Sequence, residues 1–365
     1  MAENFLEASC NVPKLGVDKA KFDGGFAELI EKCGALEEQT ENKVKKGACG
    51  KPNAYTMESC NNCGSDLRDV PITTTPNLFV GMIFGVAKAP FPLKISMRLE
   101  EEDMMVFDDP LAITNAHLLA VPTNMYIPDI RSLFIAPEKG LEILTRMDEA
   151  AWKAMSACHL SDDAWRNKVL SSAGAAESNE KLRGRVCRAF NLPPSQYQLH
   201  LQYMLPPLTP FNCYKWKNGM HYAKGRHFPY EYVIAALKAM IQKQEPFADA
   251  PTMKAEELIG KIKEVHGLDY DKFYKEDMDK LAVDNKFLAN WKREDFKNTI
   301  CVDVVDGKDA PKCDGEVKDE GFLGKLNESD KMALQTYGRP YADGKPGGVF
   351  YKYAREPAAL SSMSA

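Results

Sequence analysis

The sequence lacks any long apolar run, since no stretch of roughly eighteen uncharged apolar residues is present for a transmembrane helix. The first residues, MAENFLEASCNVPKLG, carry acidic side chains and lack the apolar core of a secretory signal. We therefore expect no membrane span and a cytoplasmic location. A net charge of −5 also argues against a general nucleic-acid coat, although a local basic patch could hold one anionic ligand.

The composition is that of an ordinary globular protein. With 365 residues the chain is long enough for one large or two modest domains. Its contents of 44% hydrophobic and 27% charged residues are ordinary for such a protein. Shifts in composition divide the chain into an N-terminal arm and cysteine-containing segment (residues 1–77), a central domain (78–245) and a C-terminal extension with an irregular tail (246–365).

The ten cysteines are interpreted as thiols rather than as a disulfide framework. Cys60 and Cys63 form a Cys-x-x-Cys pair followed by Gly64, which is typical of a zinc knuckle. Cys33 and Cys49 could complete a structural zinc site. The alternative is a solvated loop with free thiols. The remaining cysteines are interpreted as buried small hydrophobes or inert thiols: Cys10, Cys158, Cys187, Cys213, Cys301 and Cys313.

The segment from Leu192 to Pro206, LPPSQYQLHLQYMLP, contains the most informative pattern. Read with the two-residue period of a strand, it places His200 between Gln198 and Gln202 on one face. An imidazole held between two hydrogen-bonding groups can act as a nucleophile if its tautomer is fixed. The alternative is a half-buried strand whose polar face meets water. Four other histidines have no motif context and are expected at the surface: His159, His221, His227 and His266.

The pattern elsewhere predicts an α+β fold, an antiparallel sheet with helices and a mostly helical C-terminal extension. We expect short strands at 78–97, 104–107, 111–121, 185–190 and 198–205. Helices are predicted along 18–39, 137–158, 230–241, 258–266 and 270–281, the fourth ending at Gly267.

The strand around His200 resembles the signature of the histidine-triad (HIT) superfamily, with Gln-x-His-x-Gln where relatives have three histidines. Its flanking sequence, LPPSQYQLHLQY, is most similar to the scavenger mRNA-decapping branch, as is Ile130-Arg131-Ser132-Leu133. A second motif, His117-Leu118-Leu119-Ala120-Val121-Pro122, resembles the nucleotide-binding strands of the superfamily. The resemblance covers about residues 80 to 245 and implies a HIT-like antiparallel sheet.

The resemblance also implies roles for individual residues. His200 would be the nucleophile, and Gln202 would donate to the substrate phosphate without being able to protonate a leaving group. The same glutamine at the third position is found in the superfamily's transferase and phosphorylase branches, whereas Gln198 departs from the pattern of these branches and of the scavenger mRNA-decapping branch. The remaining candidates for substrate binding are His117, Gln198, Ser195, Tyr197, Lys215 and Arg226.

The expected function is a nucleotide-phosphoanhydride hydrolase, or a nucleotidyltransferase or phosphorylase, that forms a nucleotidyl-histidine. The ligand would be a nucleotide or a capped or dinucleotide small molecule, and no cofactor is required. The alternative is a catalytically degenerate HIT-derived binding or structural subunit, with a protein partner on the C-terminal extension. Analogy with the superfamily also suggests a homodimer.

Overall fold

The computed structural model describes residues 25–290 except 33, 49, 51, 61–64, 85–95, 110–111, 210–211, 214–215 and 217–221. The predicted α+β fold is confirmed: antiparallel sheets alternate with helices along the chain. Most of the apolar side chains lie in one large cluster between the main sheet and its helices, with smaller clusters on the other side of the sheet.

The main sheet has six strands in the order β4-β5-β6-β8-β7-β9, and every neighbouring pair is antiparallel. The long central pair places the His117 strand beside the strand that follows His200. The strands are β4 (Met97–Glu100), β5 (Met104–Asp108), β6 (Thr114–Pro122), β7 (Cys187–Asn191), β8 (Leu201–Leu208) and β9 (His227–Pro229).

Long amphipathic helices cover one face of this sheet. Helix α3 begins with Pro137, whose missing N–H suits the first turn, and its buried stripe includes Leu144 and Met147. This stripe packs on Leu118 of β6 and Tyr203 of β8, which are paired across the two strands and therefore lie on the same face of the sheet. The helices are α3 (Pro137–Met155), α4 (Asp163–Val169), α5 (Ser172–Ala175), α6 (Asn179–Arg185), α7 (Tyr230–Lys243), α8 (Ala255–His266) and α9 (Tyr270–Leu288).

The opposite face of the sheet carries the polar residues of interest. His117, Met204 and Cys187 oppose one another across β6, β8 and β7, so their side chains share this face. An apolar cluster that includes Phe79 covers one end of the face, and a second cluster that includes Leu281 of α9 covers the other. Gln202 lies in the row between the two clusters and remains half-buried.

A second, three-stranded sheet lies in the N-terminal segment, where the sequence analysis predicted no strands. Its strands are β1 (Glu41–Lys46), β2 (Pro52–Ala54) and β3 (Thr73–Pro76), in the order β2-β1-β3. Before it come helix α1 (Phe26–Lys32) and a 3-10 turn at Gly34–Gln39, the described part of the predicted 18–39 helix.

Two buried asparagines attach this small sheet to the loop before His200. The Asn42 side chain accepts from Tyr197 N at 2.8 Å and donates to Gln196 Oε1 at 3.0 Å. Asn77 Nδ2 donates to Tyr197 O at 3.2 Å, and Leu78 N donates to Gln196 Oε1 at 2.8 Å. The loop is therefore held by the N-terminal sheet from one side and by the main sheet from the other.

Two local predictions need correction. Residues 78–83, predicted as strand, form helix α2 (Leu78–Ile83), because the Asn77 side chain caps Val80 N and four of the six helical residues are buried. Residues 85–95 of that segment lie outside the described residues. The strand predicted from 198 begins at Leu201, so His200 lies one residue before it. The predicted helices after Pro137, after Pro229 and before Gly267 are confirmed.

Among residues 25–290, as far as they are described, no helix is long and apolar enough to cross a membrane.

Candidate active site around His200

His200 lies where helix α2 approaches the sheet. Its ring contacts Phe79 edge-on, with 4.9 Å between the ring centroids, and Phe79 in turn packs on Phe107 of β5. The side chain is 9% exposed. The His200 ring therefore lies at the edge of an apolar cluster, and only a small part of the residue is exposed.

A backbone hydrogen bond fixes the tautomer of His200. Its Nδ1 lies 2.8 Å from the carbonyl oxygen of Gln198. A carbonyl can only accept, so Nδ1 carries the proton, and in the neutral ring the lone pair is on Nε2. No hydrogen-bond partner of Nε2 is found among the described residues. The arrangement presents Nε2 as a nucleophile whose direction is set by the backbone.

Burial lowers the pKa of His200 below its ordinary 6.5, partly offset by the bond to Gln198 and by the charge of Asp109. The positive charge of Arg226 lowers the pKa further. The imidazole is therefore neutral near pH 7. A neutral ring is the form that can attack an electrophile.

His117 lies deeper in the same region and is 4% exposed. Its Nδ1 accepts a hydrogen bond from Ile113 N at 3.2 Å, and its Nε2 lies 3.5 Å from Asp109 Oδ2, a long electrostatic contact. Burial lowers the pKa of His117, while Asp109 and Asp108 oppose that shift and His200 adds to it. His117 and His200 are thus electrostatically coupled.

Arg226 brings a positive charge to this site. Burial lowers its pKa to about 10, so the side chain remains charged near neutral pH. The Nε atom is buried and without a hydrogen bond, although the residue as a whole is only half-buried. In the part of the chain that the structure describes, no carboxylate forms an ion pair with Arg226, so its charge is available to an anionic ligand.

Gln198 has a structural role instead of the substrate-binding role predicted for it. Its fully buried side chain donates from Nε2 to Pro122 O at 2.8 Å and to Met125 O at 3.0 Å. Its Oε1 accepts from Ile127 N at 3.3 Å. The carboxamide thereby holds the loop that follows β6, while the backbone oxygen of the same residue orients His200.

The other predicted site residues are not all brought to His200. Gln202 lies on the His200 face of the sheet, half-buried and without a side-chain hydrogen bond to any described residue. Ser195 is half-buried in the preceding loop. Tyr197 is directed elsewhere: burial raises its pKa, and its electrostatic neighbours are Tyr55, Asp129 and Arg131 rather than His200. Lys215 lies outside the described residues.

Nearby arginines on α6 and β7 are committed to ion pairs. Arg183 and Arg188 bind the two carboxylate oxygens of Asp148, each at 2.9 Å. Arg185 binds Glu177 at 2.8 Å and Asp284 at 2.6 Å. Among the described arginines around this sheet, Arg226 is therefore the one suited to a new anion.

The zinc site predicted from four cysteines falls mostly on undescribed positions. Cys33, Cys49 and Cys63 lie outside the described residues. Cys60 is buried, and its sulfur accepts from Asn53 Nδ2 at 3.4 Å. The four-cysteine site stays a prediction.

A different set of residues could hold a metal ion. Cys187 of β7, His227 of β9 and Asp277 of α9, here called the Cys187 group, place their ligand atoms within 4.8 Å of one another. Forty residues separate the first two members along the chain and fifty the second two, so no spacing signal reveals the group. The predicted surface placement of His227 is wrong, as it is for His159 and His266, since all three are buried.

Sequence reasoning also missed Phe79 and Asp109. Phe79 falls within a predicted strand (78–97), and Asp109 lies between two predicted strands and was not named as a site residue. The available signal for Phe79 was Asn77, a helix-capping residue directly before an apolar run. Asp109 follows β5 at the turn into β6, so its proximity to His117 depends on the pairing of these strands.

No protein-family model matches this chain, and no curated protein sequence matches it. The assignment of a function therefore depends on the geometry and on the motifs quoted above.

We predict that Gln198→Ala destabilises the protein strongly. The substitution leaves two buried carbonyls and one buried N–H without their partner, which costs about 2–4 kcal/mol in the free energy of unfolding. Urea denaturation measures this change. The matched control Gln202→Ala removes an amide from the same segment and should cost below about 1 kcal/mol. Equal effects of the two substitutions would show that Gln198 does not anchor the loop.

We also predict that acid weakens the fold through the buried histidines. The folded-state pKa values of His117 and His200 are lowered, so the unfolded chain binds protons first as the pH falls. Their stabilising contribution is complete above about pH 6.5 and is lost as the pH falls below it, with a slope of up to about 1.4 kcal/mol per histidine and pH unit. Urea denaturation between about pH 7.5 and pH 5.5 measures the slope.

The His117→Asn variant keeps an acceptor for Ile113 N but cannot titrate, so it should reduce this slope. Gln202→Ala removes no titrating group and should retain the wild-type slope. A wild-type slope in His117→Asn would contradict the assignment.

Proposed function

We propose that the protein is a HIT-type enzyme that acts on a nucleotide phosphoanhydride through a nucleotidyl-histidine intermediate. The observation that carries the proposal is the bond between His200 Nδ1 and Gln198 O, at 2.8 Å, which leaves Nε2 as the nucleophilic nitrogen. The resemblance of the Gln198–Gln202 and His117–Pro122 motifs to the HIT superfamily points to the same chemistry.

In the proposed reaction, Nε2 of His200 attacks the α-phosphorus of the nucleotide. A P–N bond forms as the P–O bond to the leaving group breaks, and the electron pair stays on the departing oxygen. Water or a second phosphate then breaks the P–N bond and regenerates the imidazole. Arg226 supplies positive charge where the phosphate oxygens gather negative charge.

The residue at the third triad position limits the substrate. Gln202 can donate a hydrogen bond to a phosphate oxygen, but it has no titrating proton to give to a leaving group. A phosphate or pyrophosphate can depart as an anion without general acid help, whereas an alkoxide cannot. This favours a phosphoanhydride over a simple phosphate ester, and it suits transfer to phosphate as well as hydrolysis.

Two further predictions belong to the proposal. A homodimer, and a protein partner on the C-terminal extension, remain predictions. The proposed reaction assigns no metal ion to the phosphate, and a zinc site at Cys60 with Cys33, Cys49 and Cys63 would be structural.

A specific observation favours a second candidate, a binding or structural subunit derived from the same fold. His200 is 9% exposed and packed against Phe79, and Gln198 is committed to the structure of a loop. A protein of this kind would bind nucleotides weakly and form no covalent adduct.

We predict that the wild-type protein forms a covalent adduct and that His200→Ala does not. The test incubates each protein with nucleotides labelled at the α-phosphate (a dinucleoside polyphosphate, a nucleotide sugar and a cap analogue) and traps the labelled protein under alkaline conditions, since a phosphorus–histidine bond is labile in acid. Intact mass and label retention measure the adduct.

The control is His266→Asn, which removes a buried histidine from the end of α8 and should leave the adduct unchanged. If the wild-type protein forms no adduct with any of the three substrates and turns none over, the second candidate replaces the first.

We predict that Arg226→Gln weakens binding of a nucleoside triphosphate by about 10–100-fold, because a charge-assisted hydrogen bond is lost. Arg226→Lys should bind with intermediate affinity, since an ammonium retains the charge without the guanidinium fork. Calorimetry with ATP and GTP measures the dissociation constants. The control is Arg68→Gln, an exposed arginine paired with Asp66, whose affinity should equal that of the wild type. Equal affinity in Arg226→Gln would remove Arg226 from the site.

A further inference from the structure

The Cys187 group is a set of three potential metal ligands from three different elements. His227 Nε2 lies 2.6 Å from Asp277 Oδ2, and Cys187 Sγ lies 3.8 Å from the same oxygen. Cys187 is 2% exposed and His227 is 1% exposed. The three side chains converge at a buried point where β7, β9 and α9 meet.

The kinds of donor atom indicate which metal would bind. A thiolate with an imidazole and a carboxylate is a ligand set for zinc, whereas magnesium and calcium prefer oxygen alone. Bond lengths of roughly 2.3 Å to sulfur and roughly 2.0 Å to nitrogen and oxygen place tetrahedral ligand atoms about 3.3–3.6 Å apart. The sulfur–oxygen distance of 3.8 Å is close to that range, and the nitrogen–oxygen distance of 2.6 Å would have to open by about 0.7 Å to reach it.

The charge balance also suits a divalent ion. A Cys187 thiolate and an Asp277 carboxylate together carry two negative charges, which one zinc ion neutralises inside the protein. The nearby Lys280 is already committed, since its Nζ lies 3.1 Å from Asp284 Oδ2. The rings of Tyr222 and Tyr274 pack edge-on against His227 and limit the movement of its imidazole.

From this convergence we infer that Cys187, His227 and Asp277 form a zinc site, with the fourth position of the ion taken by a water molecule. The site is separate from the four N-terminal cysteines, and the inference does not rest on nucleotide chemistry at His200. Zinc bound here would tie α9 to the β7 and β9 strands.

The same group is less well explained as a nucleophilic cysteine activated by His227 than as a metal site. The Cys187 thiol is directed at Asp277 Oδ2, and His227 Nε2 is engaged by that same carboxylate. Burial raises the pKa of Cys187 well above its ordinary value, which disfavours a free thiolate. Coordination removes this obstacle because a metal ion displaces the thiol proton.

The position of His227 also connects the zinc site to the candidate active site. His227 directly follows Arg226, whose charge acts on His200. An ion that holds the His227 ring would restrict the backbone that carries Arg226. Zinc would therefore act as a positioning element for that cation.

The test measures metal content and cobalt substitution in the full-length protein. Elemental analysis after purification, or after loading the chelated protein with zinc, should give about one equivalent attributable to this group. Cobalt should produce a thiolate charge-transfer band and the visible bands of a tetrahedral ion. In a Cys60→Ser background, which removes a ligand of the predicted four-cysteine site, Cys187→Ser should abolish the charge-transfer band, and Asp277→Asn should weaken the affinity for zinc by about 10–100-fold or more.

The matched control is Cys213→Ser, a buried cysteine of the same apolar cluster that is not a member of the Cys187 group. It should retain both the zinc equivalent and the cobalt bands. Circular dichroism checks that each variant folds, and zinc should raise the melting temperature of the wild type and of Cys213→Ser but not of Cys187→Ser. Zinc binding and cobalt bands that survive in Cys187→Ser and disappear in Cys60→Ser would overturn the assignment, as would a failure of the wild type to bind either ion.

Discussion

The buried carboxamide of Gln198 is the constraint on which the candidate active site depends. Its three hydrogen bonds fix the chain between Pro122 and Ile127, and this holds the backbone of Gln198 itself in place. The carbonyl of that backbone then sets the tautomer of His200. A histidine side chain could not reproduce this clamp, because it has two ring nitrogens and no pair of donors on one atom. The structure of the loop thus accounts for a glutamine at this position.

The two faces of the six-stranded sheet differ in the residues that they carry. The face toward α3 is apolar and supplies most of the core, while the opposite face carries His117, Met204 and Cys187 in one row. Two apolar clusters cover the ends of the second face and leave Gln202 half-buried between them. The proposed chemistry would therefore be confined to one strip of one sheet face, opposite the face that supplies most of the core.

Much of this architecture follows from local sequence patterns. The apolar run of β6, the apolar stripe of α3 and the glycine after α8 each depend on neighbouring residues, and they predicted the α+β fold. Helix α2 was missed because a short apolar run is ambiguous between strand and helix. The Cys187 group could not be predicted, since it depends on strand order and on contacts between residues far apart in the chain. In the same way, Gln198 was assigned to the substrate because its partners lie more than seventy residues away.

Side-chain hydrogen bonds join the N-terminal sheet to the loop before His200. Asn42 and Asn77 bond to the backbone of Tyr197, while Gln196 caps the first residue of α2. A fragment that starts at residue 78 would keep every residue of the proposed nucleophilic centre but would lose both asparagines. Removing the small sheet would therefore release the loop that carries the carbonyl partner of His200.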